Sequence, residues 1–252
     1  MKKSVIQRQR PDIFESFDHF NEWLSAPGHW LSGAQRIDVA KATRAVADCP
    51  ACRTISDALS PKSLDHLHQC DTGLPADVEV IIHRLISDQT RLTSADISSL
   101  SDLFGADSAY AYVEILGVAV CQFSVDEFHR GLGLTLPKLP KPKKGRPDHY
   151  LPAHLETDTA WVPMIPTDQV SPAEQDLWPG NRGANVLRAL SAAPDTVRAW
   201  QHLSETMYLS LQGMAEMIHA PNRILSRMQM ELIARRLHEA SRRGSWFSKG
   251  ID

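Results

Sequence analysis

The stretch from Ser108 to about Arg130 most limits what this chain can fold into. Apolar residues run through it with few charges, and Gly131 and Gly133 supply a C-terminal stop. A helix that is apolar on nearly every side must be covered on nearly every side. The stretch is therefore predicted to be the central helix of its domain. Elsewhere the apolar residues recur at helical spacing, and no segment alternates apolar and polar residues as a half-buried strand does. The expected fold class is all-α.

Local signals divide the chain further. Ser32-Gly-Ala-Gln35 has the spacing of a capping box and predicts a helix to about Asp48. Pro50 suits the first turn of a second helix, which runs to about Leu59 and stops at Ser60-Pro61. Between Pro75 and Ser87, Val78, Ile81, Ile82, Leu85 and Ile86 form one apolar face, and Thr93 caps a short helix to Phe104. The proline-rich, basic stretch Leu136 to Pro147 reads as an extended linker continuing to about Pro166. Its lysines fit a solvated connector or an anion-binding arm. Helical pattern resumes at Ser171, with helices over Asn185–Ala193, Pro194–Ile218 and Ser226–Arg243. Ser226 and Gln229 repeat the spacing of Ser32 and Gln35, which hints at an internal duplication. The expected organisation is an N-terminal arm (1–30), a first helical repeat (31–135), a linker (136–170) and a second, incomplete repeat (171–252).

Composition narrows the function classes. A net charge of −3 over 252 residues gives no nucleic-acid footprint and no polybasic membrane patch. No apolar run approaches the roughly 18 residues of a membrane span. The basic start, MKKSVIQRQR, lacks the apolar stretch of a secretory signal. A cytoplasmic protein is expected, binding neither nucleic acid nor membrane. In that compartment the four cysteines, at 49, 52, 70 and 121, do not read as a disulfide framework. Cys121 lies in an apolar run and reads as a buried small hydrophobe.

Cys49-Pro-Ala-Cys52 carries the chemistry. Two cysteines at this spacing can close into a disulfide and reopen, or supply half of a metal site. Cys49 falls at the start of the helix that Pro50 begins, where unpaired N–H groups favour a thiolate. A peroxide would take one thiol to a sulfenic acid and the other would resolve it, and spacing does not say which attacks first. Proton transfer needs a neighbour. His83, within the apolar Val80–Ile86 run, is a candidate base or a core-edge histidine. Glu114, in an apolar helix, is a candidate catalytic carboxylate unless Arg84 or Arg91 pairs with it. Asp126 is expected to pair with Arg130. The metal alternative draws on Cys49, Cys52, His66, His68 and Cys70, with the spacing C-x2-C-x13-H-x-H-x-C and zinc as the ion. Without that ion, no cofactor is expected.

Leu31-Ser-Gly-Ala-Gln-Arg36, a helix and then Cys49-x-x-Cys52 resemble the alkylhydroperoxidase AhpD-like / carboxymuconolactone decarboxylase-like superfamily. Leu74-Pro75, Ile82-His83-Arg84, Asp88-x-x-Arg91-Leu92-Thr93, Tyr112-Val113-Glu114 and Ala160-Trp161-Val162-Pro163 follow in the order of its two-repeat, peroxidase-related members. Asn185 to Ala234 resembles the start of a second copy. The resemblance implies an all-helical bundle and a thiol peroxidase whose substrate is a peroxide and whose partner is a thiol reductant. The motif of its peroxidase branch is Glu-x11-Cys-x2-Cys-x3-His. Here Ile37 and Ser56 stand at the Glu and His positions around Cys49 and Cys52. Around Glu231, Arg243, Trp246 and Gly250 stand at the remaining positions. The proton route is then expected from His68, His83 or Glu114, and the missing relay leaves a non-enzymatic redox-sensing or binding module, or a zinc-stabilised helical protein, as the alternatives. A homo-oligomer is also expected, with Met207, Leu211, Met214 and Met217 as an apolar face that a second copy or the first repeat would cover.

Overall fold

The computed structural model describes residues 3–57, 68, 72–178, 183–216, 224–233 and 235–236. Among them the fold is all-α, with one isolated bridge between Glu156 and Met164 and no strand. The longest helix, α8 (Ser108–Gly131), buries residues around most of its circumference, from Ala111, Tyr112 and Val113 to Asp126 and His129. It is covered by α2 (Pro11–Ser25), α3 (Gly33–Ala45), α5 (Ala76–Ser87), the short α6 (Ser94–Ser99) and α7 (Ser101–Phe104), and α10 (Pro194–Met207). By length and composition the Ser94–Gly131 run would suit a membrane crossing, but 61% of its apolar window is buried inside this fold.

Caps form where the spacing places them. The Ser32 hydroxyl accepts from the Gln35 backbone N–H, and the Gln35 side chain accepts from the Ser32 N–H. The same reciprocal pair closes at Thr93 and Asp96, and again at Ser226 and Gln229. The α3 helix ends at Ala45, and a 3-10 turn over Val46–Asp48 completes the predicted length. The segment expected as one helix from Thr93 to Phe104 is two short helices, broken at Leu100. The helix expected over Asn185–Ala193 is a single turn, α9 (Asn185–Arg188), and Pro194 opens α10 at its first position. That helix stops at Met207, and α11 (Leu211–Glu216) follows after a break, in place of one helix to Ile218.

Residues 3–25, within the expected N-terminal arm, contribute side chains to the core. A short helix, α1 (Lys3–Gln9), leads into α2, whose Phe14, Phe17, Phe20 and Leu24 fall on one face and are buried. Phe14 and Phe17 meet Phe128 of α8 edge-to-face at 6.3 and 5.2 Å, a geometry that adds about 0.5–1.5 kcal/mol per pair to simple burial. The other face of this corner is α10, which lies against both α2 and α8. Gly117 of α8 lets α10 approach closely: a Cβ there would sit 1.7 Å from Cγ2 of Thr196. Residues 132–171, with the predicted linker among them, form no helix but are bonded to the rest. Lys143 N–H donates to Ser25 O at 2.8 Å and His149 N–H to His29 O at 2.9 Å, while Val162, Met164 and Ile165 are buried. Met207 and Leu211 pack against the core clusters of the same chain. Met217 lies outside the described residues.

Candidate functional site

The α4 helix (Pro50–Asp57) is short and starts on the cysteine pair. Cys49 is extended, with φ −70° and ψ 119°, and its carbonyl accepts the Arg53 N–H at 3.1 Å. It is therefore the residue that caps α4, with Pro50 in the first helical position, as predicted. Cys52 follows at the third helical position. Residues three apart share a helix face, so both sulfurs point the same way, into a small cluster with Val46, Ala51 and Ile86. The side chains are 2% and 3% exposed.

The α5 helix supplies the opposing wall. His83 stands midway along it, fully buried, with Nδ1 3.3 Å from Cys52 Sγ. One turn later, the Ser87 hydroxyl donates to the His83 carbonyl at 2.7 Å and also lies 3.4 Å from Cys52 Sγ. His68 closes the third side. Its Nδ1 is 3.4 Å from Cys52 Sγ and 3.7 Å from Cys49 Sγ, and its ring lies 4.8 Å from that of His83. Burial, reinforced by charge on His68, pushes His83 down to about 4. The ring is thus neutral at physiological pH, the form in which a histidine accepts a proton or binds a metal. Its Nε2 is buried and has no hydrogen-bond partner among the described residues.

The two thiols and two imidazoles each offer one donor atom, all within 4.8 Å of one another, which is close enough to bind a metal ion. For tetrahedral zinc, with Zn–S about 2.3 Å and Zn–N about 2.0–2.1 Å, sulfur and nitrogen ligands sit about 3.6 Å apart. The three S···N separations above, 3.3, 3.4 and 3.7 Å, bracket that value.

The candidate residues named from sequence divide three ways. Cys49, Cys52, His68 and His83 come together in this cluster. His66 and Cys70 lie outside the described residues. Glu114 belongs to a separate buried network. It is fully buried on α8, 2.5 Å from Nε of Arg36, and accepts the Trp30 N–H at 2.7 Å and the Leu31 N–H at 3.3 Å. Its cation is neither Arg84, which pairs with Asp96, nor Arg91, which pairs with Asp88. Asp126 likewise pairs with Arg44 across the α3–α8 contact, and Arg130 takes Glu127 instead. Cys121 is fully buried, and burial pushes its thiol up to about 12. Sequence reading missed Ser87, although its place four residues after His83 puts both on one face of α5.

No protein-family model, no curated protein and no solved structure matches the chain.

Proposed function

We propose that the chain is a thiol-dependent oxidoreductase that reduces a small hydroperoxide through Cys49 and Cys52. The AhpD-like resemblance led to the same expectation. The observation that carries the reading is His68 Nδ1 within hydrogen-bonding reach of both sulfurs, with a neutral His83 on the other side of Cys52.

Cys52 is assigned as the nucleophile. Two imidazole nitrogens face its sulfur, and the Ser87 hydroxyl, whose proton goes to the His83 carbonyl, lies beside it. Hydrogen bonds to a thiolate favour the ionised form, which is the reactive one. Half-buried His68 receives the thiol proton, because buried His83 resists becoming a cation. In the first step the Cys52 thiolate attacks the peroxide, the O–O bond breaks, and Cys52 becomes a sulfenic acid. The departing alkoxide takes a proton and leaves as an alcohol. In the second step Cys49 attacks the sulfenic sulfur, water leaves, and the disulfide closes. An external thiol then returns both cysteines to the reduced state. The sulfurs are almost fully covered, so a small oxidant reaches them more readily than a folded protein does.

Intact-mass analysis of reduced protein before and after a small excess of organic hydroperoxide, with peptide mapping, tests this. Loss of two hydrogens mapped to Cys49 and Cys52, abolished in Cys52→Ser, is the expected result. Peroxide consumption unchanged in both Cys49→Ser and Cys52→Ser refutes it.

The convergence of four donors supports a second reading, a zinc ion that only holds α4 to α5. On that reading zinc copurifies with the chain, a chelator lowers its thermal stability, and no peroxide is turned over.

A further inference from the structure

We propose that the reduced centre binds one zinc ion through Cys49, Cys52, His68 and His83, and that closing the Cys49–Cys52 disulfide expels it. Metal occupancy and thiol chemistry would then be alternative states of one site, with zinc as a redox-sensitive guard on the thiols. The second half of the proposal rests on the thiol-redox reading above. The first half does not.

Three observations support it. The donor set is two sulfurs and two ring nitrogens, the set that zinc accepts in four-coordinate sites. Four protein ligands complete the tetrahedron and leave no position for water or substrate. Such an ion is held in place and does not act as a Lewis acid on a substrate. The donors also come from separate pieces of chain: the start of α4, the middle of α5, and His68 between them. The ion would clip these pieces together while the cysteines are reduced.

The same geometry makes the two states exclusive. On zinc, the sulfurs stand about 3.8 Å apart, set by Zn–S bonds of about 2.3 Å. In a disulfide they are about 2.05 Å apart and carry no negative charge. Oxidation therefore removes both anionic ligands at once and leaves two neutral imidazoles. The balance is simple. Two zinc-bound thiolates lose two electrons and form one S–S bond. The hydroperoxide takes those electrons with two protons from solvent and becomes an alcohol and water. The zinc ion is released with its charge unchanged.

His83 gives a reason for the ion to leave. Zinc on Nδ1 places the ring proton on Nε2, which has no partner among the described residues. Ligating histidines ordinarily donate that proton to an outer-shell acceptor, and losing such a partner weakens metal binding by about 10–100-fold. This centre should therefore hold zinc less tightly than a site built for permanent occupancy.

The test uses the full chain, reduced and stripped with a chelator, then titrated with zinc and, separately, with cobalt(II) as an optical probe. Binding of one ion per chain, with the intense visible bands of tetrahedral cobalt–thiolate, is expected, and is lost in Cys52→Ser and His68→Ala. Organic hydroperoxide added to the zinc-loaded protein in the presence of a chromogenic chelator should release zinc in step with the Cys49–Cys52 disulfide, more slowly than the metal-free protein oxidises. Failure to bind zinc, with the disulfide still forming in metal-free protein, overturns this proposal and leaves the oxidoreductase reading standing. Zinc that stays bound after its cysteines have oxidised also overturns it. Zinc that binds while even the metal-free protein forms no disulfide overturns the coupling and the oxidoreductase reading together.

Discussion

Glu114→Gln should be a stability variant, not a catalytic one. Glu114 and Arg36 are 0% and 1% exposed, so their ion pair is closed off from water. Breaking such a pair leaves the surviving charge uncompensated, at about 3–5 kcal/mol. The glutamine carbonyl can still accept from the Trp30 N–H, so the backbone part of the network partly survives. Arg36 keeps the Trp23 carbonyl at 2.9 Å and the face of the Trp23 ring at 4.1 Å, which puts the loss toward the lower end of that range. For a chain of this size each kcal/mol moves the melting temperature by about 2–4 °C, so a loss of about 3–4 kcal/mol lowers it by about 6–16 °C. The assay is thermal and urea unfolding followed by circular dichroism, with peroxide-driven thiol oxidation measured on the same samples. Adding Arg36→Met removes the stranded cation and should recover most of the loss. Glu114→Leu should cost more than Glu114→Gln, because it orphans the Trp30 and Leu31 N–H groups. A melting temperature within about 2 °C of the parent would refute the argument. So would a well-folded Glu114→Gln whose cysteines no longer react, since that would put Glu114 back into the chemistry.

Other variants probe the scaffold and the thiols. Gly117→Ala should lose about 1–3 kcal/mol by overpacking the α8–α10 contact. Thr196→Ser, which removes the methyl 1.7 Å from the added Cβ, should restore part of it; no rescue in urea melts would contradict the close approach. Tyr112 predicts an alkaline limb. Burial, then the Asp96 charge, pushes its phenol up to about 12 from 10.0. The unfolded chain therefore gives up this proton first. The stability contribution is whole below pH 10 and is lost, by about 3 kcal/mol, as pH rises to 12. Tyr112→Phe should flatten the stability curve across that window, and an unchanged slope would be the contrary result. Cys121 should ignore a thiol reagent in the native protein and react only on unfolding. Labelling of native Cys121 would contradict its burial.

The parts of the fold legible in the sequence are those that local chemistry decides. The Ser32–Gln35 box, the Pro50 start, the α5 stripe and the α8 run all depend on residues within one or two turns, and all form. The failures are non-local. Residues 1–30 read as an arm, although Phe14, Phe17, Phe20 and Leu24 share one face of α2, because that face is buried only by α8 and α10, whose residues lie about a hundred positions away or more. The proline-rich stretch looks like a connector because its composition cannot make a helix. Its attachment comes from backbone donors meeting the carbonyls of Ser25, Gly28 and His29, which side-chain patterns do not record. Glu114 needs a buried partner, and neighbours in sequence point to Arg84 or Arg91. Arg36 is 78 residues away, and only the α3–α8 contact brings it near.

The site shows the same division. The spacing of Cys49 and Cys52 fixes their shared face through the geometry of one helical turn, so that half was legible. His83 could be named, but its role depended on whether α5 would lie against α4. His66, His68 and Cys70 looked like one ligand group because they are close in sequence. Of the described residues, the set that converges instead takes His68 from that group and His83 from the next helix. Burial then acts on the set as a whole. It keeps His83 neutral, keeps the sulfurs from bulk solvent, and leaves half-buried His68 as the group best placed to pass a proton outward. Imidazoles beside paired thiols suit two chemistries, because peroxide reduction needs a ring nitrogen to take the thiol proton and zinc binding needs sulfur and nitrogen donors together. Two proteins could be built for one or the other. A single centre that alternates between them must hold the ion loosely, and the Nε2 of His83, without a partner among the described residues, weakens that hold.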